Sequence, residues 1–129
     1  MRQTFSPSET NRLDVESDPV TDDCVVVHLR GEADLHTAPI LREALDAAID
    51  TGAGTLVVDL TGVTFVDSMM LGVLLATTRR IRLIGTEMRI VVDDPYLRRI
   101  FELTLLDRVL ALYPALESAL VRDAAPSGV

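Results

Sequence analysis

The hydrophobic pattern along the chain switches repeatedly between a strand-like and a helix-like period. Residues 24–29 (CVVVHL), 55–60 (TLVVDL) and 88–92 (MRIVV) are compact runs of apolar, mostly β-branched residues and predict buried strands. Residues 12–17 (RLDVES) alternate weakly and predict a first strand; 109–112 predict a short last one. Between these runs the apolar positions fall at helical spacing. Ile40, Leu41, Ala44, Leu45, Ala48 and Ile49 form one stripe, opened by Thr37 as a cap and Pro39 in the first turn, and stopped by the TGAG of 51–54. A second helix is expected over 68–84, ended by Gly85. A third is expected over 95–103, opened by Pro95, and a last one from Pro114. Gly31-Glu32-Ala33-Asp34 is expected to break the strand before it, and 61–67 (TGVTFVD) to connect a strand to a helix. Strands alternating with helices predict an α/β fold: a largely parallel sheet, made mixed by an N-terminal hairpin, with about four helices packed on it. Residues 1–11 are polar and expected to be a flexible leader, 12–122 a single domain, and 123–129 a flexible tail.

The second helix carries the most information. At about 100° per residue, Met70, Val73, Leu74, Thr77, Ile81 and Ile84 fall on one side, which is expected to face the sheet. Ser68, Gly72, Arg79 and Arg82 fall on the other, so Ser68 is expected to look outward from the helix N-terminus. Leu71 and Leu75 lie beside that polar line and are expected to give the serine an apolar flank. Arg79 is too remote to neutralise a charge at Ser68, at roughly 16 Å along the axis. The local field is therefore expected to come from Asp67 and the helix dipole. Taken alone, Asp67-Ser68 also reads as an ordinary N-cap.

Composition removes many functions. The chain has 129 residues, 48% of them hydrophobic, which is enough for one core without disulfides or a structural metal. Twenty acidic residues against 12 basic ones give a net charge of −8, which provides no footprint for nucleic acid or an anionic membrane surface. Every basic residue is arginine, so a P-loop lysine, a Schiff-base lysine and the lysine of a phospho-aspartate receiver are all excluded. Cys24, His28 and His36 fall short of a zinc ligand set, and no metal or cofactor is expected. The N-terminus lacks the apolar run of a signal peptide, and no stretch approaches the length of a membrane span; a cytoplasmic location is the expectation. An enzyme built on Ser68 with His28 or His36 is disfavoured, because no G-x-S-x-G elbow is present. Asp93-Asp94 reads as the entry turn of the third helix, and Thr51-Gly52-Ala53-Gly54 as a helix stop, not a nucleotide loop.

The stretch DLTGVTFVDS of 59–68, followed by LGVLL of 71–75, resembles the STAS domain of anti-sigma factor antagonists, whose pattern is close to D-L-S-x-V-x-F-x-D-S-S-G-L-G-x-L. Gly31-Glu32-Ala33-Asp34 with Thr37-Ala38 resembles the family's G-E-x-D-x-x-T-A segment. PYLRRIFELTLL of 95–106 is similar to its third helix, and YPALESAL of 113–120 to its last segment. The resemblance implies a partner that is both an anti-sigma factor and a serine kinase, and an antagonist that frees the sigma factor by binding it. It further implies that phosphorylation of the D-S serine releases the partner and that a phosphatase resets the switch. Carried over, Ser68 is the phospho-acceptor and Asp67 its neighbour in partner recognition. Glu32, Asp34, His36 and Thr37 are expected beside them, with Met69, Leu71, Gly72 and Leu75 completing the partner surface. A monomer or weak dimer is expected. Two departures stand out: Met69-Met70 replaces the family's Ser-Gly, and Leu105 stands where glycine is common. The first keeps a second function open, an unphosphorylated accessory STAS module of a signalling scaffold or transporter.

Overall fold

The computed structural model describes residues 2–5 and 12–121. The elements run β1 (Gln3–Thr4), β2 (Leu13–Thr21), β3 (Cys24–Ala33), α1 (Ala38–Asp50), β4 (Thr55–Val66), α2 (Ser68–Arg82), β5 (Glu87–Val91), α3 (Pro95–Leu103), a single 3-10 turn (Leu106–Arg108), β6 (Ala111–Tyr113) and α4 (Leu116–Leu120). All six strands form one sheet in chain order. β1–β2 and β2–β3 pair antiparallel; β3–β4, β4–β5 and β5–β6 pair parallel. A mixed sheet with four helices is thus the architecture expected from the alternation.

The two sheet faces are unequal. On one, Val25, Val27 and Leu29 of β3 with Leu56, Val58 and Leu60 of β4 meet Leu41, Leu45, Met70, Leu74, Leu97 and Phe101 from α1, α2 and α3. The alternate residues Val26, Val57, Val91 and Tyr113 face the other way and pack on Ala119 of the short α4. Buried Arg89 holds that helix, donating to the carbonyls of Ala119 (2.9 Å) and Val121 (2.6 Å). The period-2 alternation of β3 and β4 thereby serves two cores at once.

Several expectations need correction. Gln3 and Thr4, placed in the leader, pair with Ser17 and Glu16, and Phe5 is buried. The remainder of that leader (1 and 6–11) and the tail (123–129) lie outside the described residues. Gly31 does not end β3: the strand runs on to Ala33, with register shifts around it. Gly31 takes φ +112°, and an added Cβ there would lie 2.0 Å from the Arg12 carbonyl oxygen, so the glycine serves close strand approach instead of termination. Residues 61–66 are likewise strand, extending β4 beside the extension of β3. Thr37 does not cap α1 with its side chain. α2 ends at Arg82, leaving Ile84 exposed and not in the core. Leu105 follows α3 at φ 62°, the left-handed conformation that glycine adopts freely and that costs a leucine about 1 kcal/mol. No described helix is long and apolar enough to cross a membrane.

Candidate functional site

The extended tips of β3 and β4 carry the site. β3 delivers the 34–37 loop and β4 delivers Asp67, and the two are joined at once: Asp67 N donates to the Ala33 carbonyl at 3.1 Å. Asp67 is the N-cap of α2, with extended backbone at φ −110° and ψ 178°. Its Oδ1 accepts from Met70 N at 3.0 Å, satisfying a first-turn donor, and its Oδ2 accepts from Leu35 N at 2.9 Å. One carboxylate therefore fastens the helix start to the loop. Both oxygens are engaged inside the molecule, which makes Asp67 a positioning group for its neighbours.

The loop is locked from within. Asp34 is buried, and its Oδ1 accepts from His36 N (2.9 Å) and Thr37 N (3.1 Å). Thr37 Oγ1 accepts from Asp34 N and donates to the Glu32 carbonyl, each at 2.9 Å. Arg12 of the β2 approach bridges Asp34 Oδ2 (3.2 Å) and Glu32 Oε2 (3.1 Å). Burial alone pushes the Asp34 carboxyl up; the Thr37 and His36 hydrogen bonds and the Arg12 guanidinium outweigh it, holding Asp34 below its ordinary value. Asp34 and Thr37 are thus buried supports of the loop. His36 is exposed and Glu32 half-buried.

Ser68 is the first residue of α2 and is exposed, as the helical projection predicted. Met70 is fully buried beneath it, also as expected. Leu71 is not a flank: it is 7% exposed and part of the core, because α1 packs beside α2 and widens the buried arc beyond the sheet-facing side. Leu75 is half-buried and Gly72 exposed. Exposed apolar side chains come instead from Leu35 (55% exposed) of the loop and Met69 (39%) at the helix start; Phe65 (48%), at the tip of β4, alternates with Val66 of the helix-side core and so lies on the other sheet face. Leu35 is absent from the expected partner surface, although an exposed apolar residue in a polar loop is a readable signal.

A groove of about 420 Å³ runs between α1 and α2, lined by Arg42, Asp46, Ser68, Met69, Gly72, Val73, Ala76, Thr77 and Arg80. Arg80 pairs with Asp46 across it, and Arg42 Nη2 lies 3.8 Å from Met69 Sδ. The expectation that no arginine approaches Ser68 holds for Arg79, on its own helix, but overlooks Arg42 on the neighbouring one.

His28 Nδ1 lies 2.8 Å from Asp59 Oδ2. His28 alternates with Val27 and Leu29, so the pair sits on the sheet face away from α2 and assembles no triad with Ser68. Asp94 caps α3, as its position before Pro95 suggested. Among the described residues no group of three His, Cys, Asp or Glu side chains is placed to hold a metal.

Comparison with known proteins agrees with this architecture. Residues 17–119 match the STAS domain family. The chain is 34% identical over 95 residues to the anti-sigma-F factor antagonist RsfB of Mycobacterium tuberculosis, covering 74% of this chain and 77% of that one. An anti-sigma factor antagonist from Mycobacterium paratuberculosis, solved by crystallography, superposes with a TM-score of 0.78 at 34% identity, over 88% of this chain and 95% of that one. SpoIIAA of Bacillus, solved in its phosphorylated form, shares the fold at 24% identity and TM-score 0.64, over 82% and 96% of the two chains. The chain belongs to the STAS domain family, among its anti-sigma factor antagonists.

Proposed function

We propose that this chain binds an anti-sigma factor that is also a serine kinase, thereby frees a sigma factor for transcription, and is switched off by phosphorylation of Ser68. The observation that carries the reading is the exposed Ser68, set on a helix N-terminus that Asp67 pins to the 34–37 loop and neighboured by exposed Leu35 and Met69. A partner resting on those two side chains covers the serine. In the off step the Ser68 oxygen forms a bond to the γ-phosphorus of the kinase's ATP as the bond from that phosphorus to the β-bridging oxygen breaks, ADP leaves and the hydroxyl proton is lost; a phosphatase reverses the change by hydrolysis, restoring the serine and releasing inorganic phosphate.

The energetics favour release without refolding. A phosphoserine adds roughly −1.5 to −2 charge at pH 7. The helix N-terminus favours it by about 0.3–1 kcal/mol, whereas Asp67, at a separation of roughly 6 Å, repels each unit charge by about 3 kcal/mol before salt screening. Free in solvent, the group is tolerated. Beneath a partner it loses its water, and an unpaired buried charge costs several kcal/mol, with each 1.4 kcal/mol worth tenfold in affinity.

A pull-down from the source cell with Ser68→Ala and Ser68→Asp tests this, followed by calorimetry on the captured partner. Recovery of an ATP-binding kinase by the alanine form, with at least about a hundredfold weaker binding of Ser68→Asp and Ser68→Glu, is expected. Equal affinity of all three forms would refute the switch. Capture of a membrane transporter would instead favour the accessory module.

A further inference from the structure

Asp67 repels a phosphate on Ser68 and the helix N-terminus favours it only weakly, but α1 brings a cation to it. Arg42 is exposed, lines the groove that Ser68 also lines, and rests its guanidinium against the sulfur of Met69, the residue after Ser68. Among the described residues it meets no carboxylate. Asp46, one turn along α1 and the nearest helical partner for Arg42, is held by Arg80 from across the groove. A thioether is a weak acceptor, so the contact with Met69 is readily exchanged for a stronger one. A phosphate is such a partner, since the planar guanidinium fork matches two of its oxygens.

We infer that Arg42 is an intramolecular phosphate clamp: when Ser68 is phosphorylated, its guanidinium leaves Met69 Sδ and binds the phosphoryl oxygens. This rests on the proposed phosphorylation of Ser68 and adds a second element to the switch. Besides introducing charge, the modification draws the α1 side chain over the mouth of the groove and releases Met69, one of the two exposed apolar neighbours of Ser68, from its partner. Arg80 has a supporting role, because by occupying Asp46 it leaves Arg42 available.

The test installs phosphoserine at position 68 through the genetic code, so that no kinase is needed, and follows the phosphorus resonance against pH. The charged and titratable groups around the phosphate are Arg42 and Asp46 of α1, Arg80 of α2, Asp67 of the preceding turn and His36 of the loop that Asp67 holds. The helix dipole, Asp67 and His36 are common to all variants, so differences between them report the arginines. In the native background the second phosphate ionisation is expected about half a unit below that of Arg42→Gln, about threefold in proton affinity, with Arg42→Lys between them. Arg80→Gln, which returns Asp46 to Arg42, is expected to move the ionisation back towards the Arg42→Gln value. Superimposable titrations of the native and Arg42→Gln proteins would overturn the clamp. That result would leave phosphorylation itself standing, whereas a cognate kinase that ignores Ser68 would sink the phosphorylation reading and leave the clamp measurable.

Discussion

Helices α2 and α3 both begin at an aspartate in extended conformation whose carboxylate takes a first-turn N–H: Met70 N at 3.0 Å from Asp67 in one, Tyr96 N at 2.8 Å from Asp94 in the other. Both end near a residue in the left-handed region, Gly85 at φ 77° and Leu105 at φ 62°. By local chemistry the two are near copies. The difference is where the second carboxylate oxygen goes. Asp67 Oδ2 reaches Leu35, 32 residues earlier in the chain, and so ties a second segment to the helix start. Asp94 opens onto Pro95, whose missing N–H suits a first helical position and whose ring leaves no hydroxyl to modify. A cap becomes a platform when it holds a neighbouring loop beside an exposed, chemically competent side chain.

Removing each cap in turn should separate the two helices most strongly. Asp67→Ala is expected to cost about 2–3 kcal/mol in chemical denaturation, since it deletes both the cap and the bond to the loop, and Asp94→Ala about 1 kcal/mol. Equal losses would mean that the Leu35 bond contributes nothing. A smaller effect tests the loop's own lock. The folded-state ionisation of Asp34 is depressed, so its contribution is present above the ordinary carboxylate pKa of about 3.9 and is lost as pH falls through the lower folded value. The stability gap between the native protein and Asp34→Asn is therefore expected to narrow below about pH 4; a gap independent of pH would refute that assignment. The smallest effect is expected at the far end of α3. Leu105→Gly should raise stability by up to about 1 kcal/mol by relieving the left-handed leucine, measured as a shift in denaturation midpoint.

Much of this was legible in the residues. The start of α1, both ends of α3 and the start of α2 follow from Pro39, Pro95, Asp67 and the apolar spacing between them, because these signals act within one turn of chain. The strand tips were not legible. Gly31 and Gly62 look like breakers, and only the paired strands show why they are needed: a Cβ at Gly62 would lie 2.9 Å from the Leu29 carbonyl oxygen. The outward serine was legible because one helix wheel suffices to place it. Leu71 was misplaced because the wheel registers the sheet but not α1 alongside. Arg42 escaped for the same reason, its contact with Met69 spanning 27 residues of chain between two helices.

The sheet closes at each side with very little strand: two residues in β1 and three in β6. Between them β3 is matched along most of its length on both sides, by β2 and by β4. A stray extended peptide, or a second molecule seeking to continue the ladder, meets a border strand of only two or three residues at either side. Association through main-chain zippering is thereby discouraged, and recognition is left to side chains at the rim.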